Sequence, residues 1–217
     1  MQRNVQRIII FANGELPDMN KACSILQNDD YIICADGGTR HALACGVQPN
    51  LVIGDLDSAE EETVQKFKDD GVGIEPYPHD KNETDLELAI HHAIEFKPEQ
   101  IIIIAALGGR LDHTLGNITF LTDIRLSAFD IRLDDGVEEI FICRDQVDVH
   151  GRSGDIVSLI PWQGAVSNIQ TKNLKWVLDN ETLYAEKTRG ISNEMLGNTA
   201  SISTGAGVLI IVHRRQS

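Results

Sequence analysis

The chain has 217 residues, with 33 Asp plus Glu against 19 Lys plus Arg, for a formal net charge of −14. That acidic balance argues against a general nucleic-acid binder, which needs a basic face to displace counterions, and against a protein of anionic membrane surfaces. Hydrophobic residues make up 42% and charged residues 24% of the chain, the proportions of a folded globular protein.

No apolar run approaches the roughly 20 residues of a membrane span. The first run, Ile8 to Ala12, is shorter than the roughly 7–15 residues of a signal-peptide core and reads as a buried strand. Met19, Ala22, Cys23 and Leu26 then follow a helical spacing. Tyr31–Ala35 and Leu51–Gly54 are further apolar strands. Ser58-Ala59-Glu60-Glu61 reads as a capping box, Val72–Tyr77 as a weaker strand, and Thr84-Asp85-Leu86-Glu87 as a second capping box. That second box opens a helix carrying Leu86, Ala89, Ile90, Ala93 and Ile94. Gln100–Leu107 is the strongest strand, and Leu111, Leu115, Ile118 and Leu121 mark a last helix. Continuous β-branched runs alternating with helices predict an α/β layer fold around a parallel sheet.

After about Phe129 the helical period disappears. Ile131–Val137 reads as a hairpin turning at Asp135-Gly136. Asp155–Ile160, Ala165–Gln170, Leu174–Leu178, Ala200–Ser203 and Val208–Val212 predict a small antiparallel sandwich or barrel. The expected domains are 1–145, α/β, and 146–217, all β. Cys23, Cys34, Cys45 and Cys143 form no CxxC pair, and the expectation is reduced thiols without disulfides in a cytoplasmic protein.

The position of the carboxylates carries the chemistry. Asp36 follows one strand, Asp55 and Asp57 another, Asp85 opens a helix, and Asp112 follows the Gln100–Leu107 strand. Loops after strand carboxyl ends form the ligand crevice of an open α/β sheet. Carboxylates gathered there repel unless a hard cation lies among them, and oxygen-only donors suit Mg²⁺, which completes its octahedron with phosphate oxygens. Paired glycines at Gly37-Gly38 and Gly108-Gly109 sit between strand and helix, where backbone can approach phosphate. Arg40, Lys81 and Arg110 stand beside them. Neither GxxxxGK[ST] nor GxGxxG occurs.

Taken in order, ADGG (35–38), PNLVIGDLDS (49–58), KNETD (81–85), LGGRLD (107–112), NLKW (173–176) and SNE (192–194) make the chain resemble the thiamine pyrophosphokinase family over nearly its full length. The resemblance implies a Rossmann-like, mainly parallel sheet with flanking helices, followed by a smaller C-terminal antiparallel β-sandwich, in a homodimer with a pocket built across two subunits. It implies Mg²⁺-dependent transfer of the diphosphoryl group of ATP to thiamine, with release of AMP. It assigns magnesium to Asp55, Asp57 and Asp85. It gives the nucleotide side to Asp36, Gly37, Gly38, Gly109, Arg110 and Asp112, beside which the sequence itself adds Arg40, Lys81 and Thr84 as nucleotide-binding candidates, and the thiamine side to Trp176, Ser192 and Asn193. Asp85 or Asp112 is the expected proton acceptor. The sequence departs from the family pattern at Asn82, more often an acid, and at Asn173, more often glycine. Two other readings compete: a phosphatase with Asp55 as nucleophile and Asp57 beside it, and a nucleotide-sensing module without catalysis.

Overall fold

Isoleucine-rich strands can be continuously apolar only where both faces are covered, and the first part of the chain builds its centre from such strands. The structure, a computed structural model, describes residues 5–54, 61–78, 80 and 82–216, with backbone alone for 61–63. Asp55, Asp57, Ser58 and Lys81 lie outside the described residues. The chain forms two compact units, Met1–Gly136 and Val137–Ser217.

The first unit runs β1 (Arg7–Phe11), α1 (Met19–Cys23), β2 (Tyr31–Ala35), α2 (Thr39–Ala44), β3 (Leu51–Gly54), α3 (Glu61–Asp69), β4 (Gly73–Pro76), α4 (Asp85–Glu95), β5 (Gln100–Ile104), α5 (Leu111–Phe120) and β6 (Asp130–Asp134). The strands stand in the order β4-β3-β2-β1-β5-β6, and every neighbouring pair is parallel. From β1 the sheet therefore grows one way through β2 and the other way through β5. A crevice opens at the carboxyl ends where the chain order reverses.

Local signals explain the helices. Thr84 caps α4 by accepting a hydrogen bond from the Glu87 N–H at 3.2 Å. Leu86, Ala89, Ile90 and Ala93 then bury the face turned to the sheet. Burying a large aliphatic side chain of this kind stabilises by about 1.5–3 kcal/mol. α5 shows the apolar spacing expected of it, but no residue of α5 is buried; Leu111 is 71% and Leu115 48% exposed.

Several sequence expectations need correction. Cys23 and Cys45 form a disulfide with Cα atoms 5.2 Å apart, so the expected fully reduced set is not what the fold contains. Sequence spacing could not reveal this. The bridge joins the end of α1 to the residue after α2, two helices brought together by packing on β1 and β2. Cys34 and Cys143 remain free and buried. Ile131–Leu133 pair in parallel with β5, so they belong to the sheet of the first unit. The Asp-Gly turn still forms, with the Gly136 N–H donating to Asp134 Oδ1 at 2.8 Å. The strand after it, Glu138–Cys143, pairs with residues Leu209–Arg214, which places it in the second unit and the division at 136/137 instead of 145/146.

The second unit contains β7 (Glu138–Cys143), β8 (Gln146–His150), β9 (Ile156–Lys172), β10 (Asp179–Leu183), β11 (Asn193–Glu194), β12 (Thr199–Ser203) and β13 (Ala206–Arg214). Its order is β7-β13-β9-β12-β8, with β10 and β11 also pairing β9, all antiparallel. The two strands expected at Asp155–Ile160 and Ala165–Gln170 are one strand of 17 residues. It continues through positive φ at Gln163 and Asn168, where its pairing with β13 and β10 shifts register. Leu174–Leu178 is not a strand; Leu174 makes a single bridge to Met195. Val149, Val157, Leu159, Val166, Ile169, Ile202 and Ile211 form the core. Beside it, His213 is fully buried between Glu139 and Asp155.

Candidate active site

A cavity of about 430 Å³ lies at the carboxyl ends of β1, β2 and β5, where the strand order reverses. Small-molecule sites commonly occupy about 300–1,000 Å³. The backbone there is drawn tight. After β1, the Gly14 N–H donates to the Ala105 carbonyl at 2.7 Å, and a Cβ on Gly14 would collide with that carbonyl. After β2, Asp36 takes φ +43°, and a Cβ on Gly38 would strike the Phe11 carbonyl. Ala105 takes φ +60° although it is not glycine. Left-handed conformations at non-glycine residues cost about 1–3 kcal/mol each and concentrate at functional sites.

Glu15, Asp36 and Asp85 bring carboxylates to this cavity, and Arg40 and Arg110 bring guanidinium groups. Thr84, Gly109 and His113 also line it. Of the residues proposed from sequence, Asp36, Arg40, Thr84, Asp85, Gly109 and Arg110 meet in one place. Gly37 and Gly38 do not line it; they let β2 and its turn pass close to Asn13 and Phe11. Asp112 lines a neighbouring cavity of about 290 Å³ with Thr84, Glu87, His113 and Phe120.

Asp112 also pairs with Arg110, through Nε at 3.1 Å and Nη2 at 2.5 Å. The Arg110 hydrogen bond holds the Asp112 carboxyl below the usual carboxylate range. An acid so stabilised as its anion is a weak proton acceptor.

Sequence reasoning passed over Asn13, Glu15 and Asn117. Asn13 and Glu15 follow β1 directly, so the rule that selected Asp36 and Asp112 would have found them had it been applied to the first strand. Asn117 braces the wall from α5, its Nδ2 donating to the Ala106 carbonyl at 2.8 Å.

In the second unit Trp176 is 57% exposed. Lys175 Nζ stands 5.1 Å from the centroid of its ring and is held by Glu194 at 2.8 Å. Asn193 is buried, and its carboxamide is committed to the backbone of Trp176 and Glu194. Ser192 takes φ +59°, and its N–H donates to Ser158 Oγ at 2.9 Å.

The donor chemistry suits a hard divalent cation, since the cavity offers carboxylate oxygens and neither thiolate nor a cluster of imidazoles. Among the described residues no three acidic, His or Cys groups assemble into a complete metal site. Mg²⁺ bound by one or two protein carboxylates, with water and phosphate completing the shell, does not require one.

The family model for the thiamin pyrophosphokinase catalytic domain matches residues 22–133, and that for the thiamin pyrophosphokinase vitamin B1 binding domain matches residues 144–209. A thiamine pyrophosphokinase of Bacillus subtilis (strain 168) is 30% identical over 182 residues, 83% of this chain and 85% of that protein. The crystal structure of thiamine pyrophosphokinase from Bacillus subtilis superimposes with a TM-score of 0.85 at 27% identity, covering 98% of this chain and 100% of the other. That of thiamin pyrophosphokinase from Geobacillus thermodenitrificans gives 0.83 at 26% identity, covering 98% and 99%.

Proposed function

Because the chain belongs to the thiamine pyrophosphokinase family, we propose that its cavity binds Mg·ATP and that the chain transfers the diphosphoryl group to the hydroxyl of thiamine, releasing AMP. One observation carries the assignment of the site. The cavity at the strand reversal gathers two arginines with three carboxylates, and all of its lining residues except those at 12–15 fall within the matched catalytic region.

Each residue type has a task. Arg40 and Arg110 hold phosphate oxygens through charge-assisted hydrogen bonds. Asp85, with Asp55 and Asp57, would hold Mg²⁺, which when bound offsets phosphate charge and orients the diphosphoryl group. Gly109 gives close backbone approach, and Thr84 fixes the start of α4 so that Asp85 faces the cavity. Phosphoryl-type transfer has a loose transition state, so positioning and charge complementarity do most of the catalysis. Asp85 or Asp112 accepts the hydroxyl proton. Thiamine carries a fixed positive thiazolium, which acidic walls attract and an exposed indole such as Trp176 can stack upon.

We further propose a Rossmann-like first domain, a β-sandwich second domain, a homodimer and a cytoplasmic location, where ATP is abundant. The exposed apolar residues Leu111, Leu115, Val177, Ile191 and Leu196 support self-association. The deciding assay supplies the protein with Mg·ATP and thiamine. AMP and thiamine diphosphate formed together, and AMP only when thiamine is present, are the expected products. Inorganic phosphate would support the phosphatase reading, and binding without turnover the sensing module.

A further inference from the structure

The neighbouring cavity of about 290 Å³ lies between the start of α4 and the length of α5. Thr84, Leu86, His113 and Asn117 line both it and the larger cavity, so the two spaces adjoin along these residues. Leu86 and Phe120 give the second space apolar walls suited to the faces of a planar ring. Gly116 lines it from the middle of α5. Packing does not require glycine there: among the described residues, a Cβ at Gly116 would meet nothing within 4 Å beyond its chain neighbours and its own helix backbone. Glycine is the poorest helix former after proline, so at this position it weakens α5 and leaves the space open.

Asn117 adds direction. One end of its carboxamide is fixed, with Nδ2 donating to the Ala106 carbonyl at 2.8 Å. A carbonyl can only accept, so the orientation of the amide is decided. Oδ1 accepts from none of the described residues and is left for whatever enters the space that Asn117 lines. Glu87 and Asp112 bring further acceptors to the same lining, and its described residues include no Lys or Arg. A phosphate would be repelled there, whereas a flat ring bearing N–H donors would be held on its faces and at its edge.

We propose that the second cavity is the subsite for an amino-substituted, nitrogen-containing aromatic ring, which lies against Leu86 and Phe120 and donates its exocyclic amine to Asn117 Oδ1. The inference rests on the proposed reaction, because both substrates of that reaction carry such a ring: the adenine of ATP and the aminopyrimidine of thiamine. The apolar walls and the acceptor serve either ring, and the experiment distinguishes the two.

Calorimetry on the full chain with Mg²⁺ measures the binding of ATP and ITP without thiamine. It also measures thiamine and oxythiamine in the presence of α,β-methylene-ATP. ITP and oxythiamine carry an oxo group where the amine stood. In one of the two pairs the amino member should bind about tenfold more tightly, the scale of one hydrogen bond, and Asn117→Ala should abolish that preference. Gly116→Leu fills the space with a better helix former. It should weaken binding of the same amino substrate at least tenfold, with the other substrate bound nearly as in wild type and no fall in melting temperature. Loss of preference between ATP and ITP places adenine in the subsite, and loss between thiamine and oxythiamine places the aminopyrimidine there; either supports the proposal. If wild type binds both substrates without an amine preference in either pair, if Asn117→Ala keeps the preference, or if Gly116→Leu binds both substrates as wild type does, the subsite is overturned while the proposed reaction stands. The wild-type and Gly116→Leu results decide this whether or not Asn117→Ala folds. If wild type binds neither ATP nor thiamine, the proposed reaction and the subsite fall together.

Discussion

Asn193 holds Trp176 by both edges of its carboxamide: Nδ2 donates to the Trp176 carbonyl at 2.6 Å, and Oδ1 accepts from the Trp176 N–H at 3.0 Å. The same oxygen accepts from the Glu194 N–H at 2.9 Å. If the proposed thiamine side is correct, a side chain so engaged acts on the substrate through the indole it positions. Asn193→Ala should raise KM for thiamine more than KM for ATP and cost about 1–3 kcal/mol, the penalty for leaving buried backbone groups unpaired. Trp176 fluorescence in a Trp162→Phe background checks this. An unaltered spectrum with a thiamine-specific defect would mean that Asn193 touches the substrate directly.

Asp85 should be the more sensitive of the two candidate proton acceptors. Asp85→Asn is expected to lower kcat by about 100-fold or more, the scale of losing a group that acts on the reacting atoms. The melting temperature should stay close to wild type, because Asp85 is not part of the core. Asp112→Asn should act mainly through Arg110 and appear in KM for ATP. Parallel steady-state kinetics on the two variants decide between them.

Acid should loosen the second unit through Asp155. Burial alone would raise its carboxyl, but the N–H groups of Gln216 and Arg152 and the His213 ring outweigh burial and hold it below the usual range. A lowered folded pKa means that this stabilisation is present above the unfolded value of about 3.9 and is lost as pH falls through the folded value. Melting temperature should therefore fall from about pH 4 downward. Asp155→Asn should flatten that dependence and be destabilised at pH 7 by about 1–3 kcal/mol, because it weakens the hydrogen bonds that a buried carboxylate accepts from the Gln216 and Arg152 N–H groups. Thermal melts from pH 7 to pH 3 test both points.

Reduction should destabilise the first unit. The Cys23–Cys45 bridge closes a loop with a sequence separation of 22. A loop of that length corresponds to about 3 kcal/mol of stabilisation in the chain-entropy account. Denatured, unreduced protein should give thiol titration for Cys34 and Cys143 only, and reductant or Cys23→Ser should lower the melting temperature.

Leu115→Glu should shift the chain toward monomer in sedimentation without changing its circular dichroism, because Leu115 is already 48% exposed on a helix with no buried face. An unchanged sedimentation coefficient would assign the contact to another surface.

The first unit was largely legible because its signals are local and redundant. Runs such as Gln100–Ile104 have one stable environment, and Thr84 and Glu87 mark the start of α4 within four residues. The proposed site followed in part from a single rule, that polar residues after parallel strands converge: it brings Asp36 to the cavity, was not applied to Asn13 and Glu15, and selected Asp112, which lines the neighbouring cavity. What the sequence concealed depends on distant partners. The Cys23–Cys45 bridge needs two helices to meet, and the exposure of Leu111 and Leu115 needs knowledge of what covers a face. The commitment of Asn193 to Trp176 spans 17 residues and appears only once both turns are placed. The 17-residue length of β9 was hidden because the residues between the expected strands Asp155–Ile160 and Ala165–Gln170 include Gln163 and Gly164, whose positive φ distorts the strand without ending it.

β9 pairs with β10, β11, β12 and β13, and β13 lies between it and β7. During synthesis the β9–β13 and β13–β7 pairings cannot close until residues 206–214 have been made. A fragment ending before Ala206 would present two long apolar strand edges with nothing between them, the kind of edge on which chains aggregate. Non-local pairing of this sort also folds slowly. The second unit should therefore be protease-sensitive and chaperone-dependent on the ribosome until its last strand emerges, while the first unit has by then long completed its sheet.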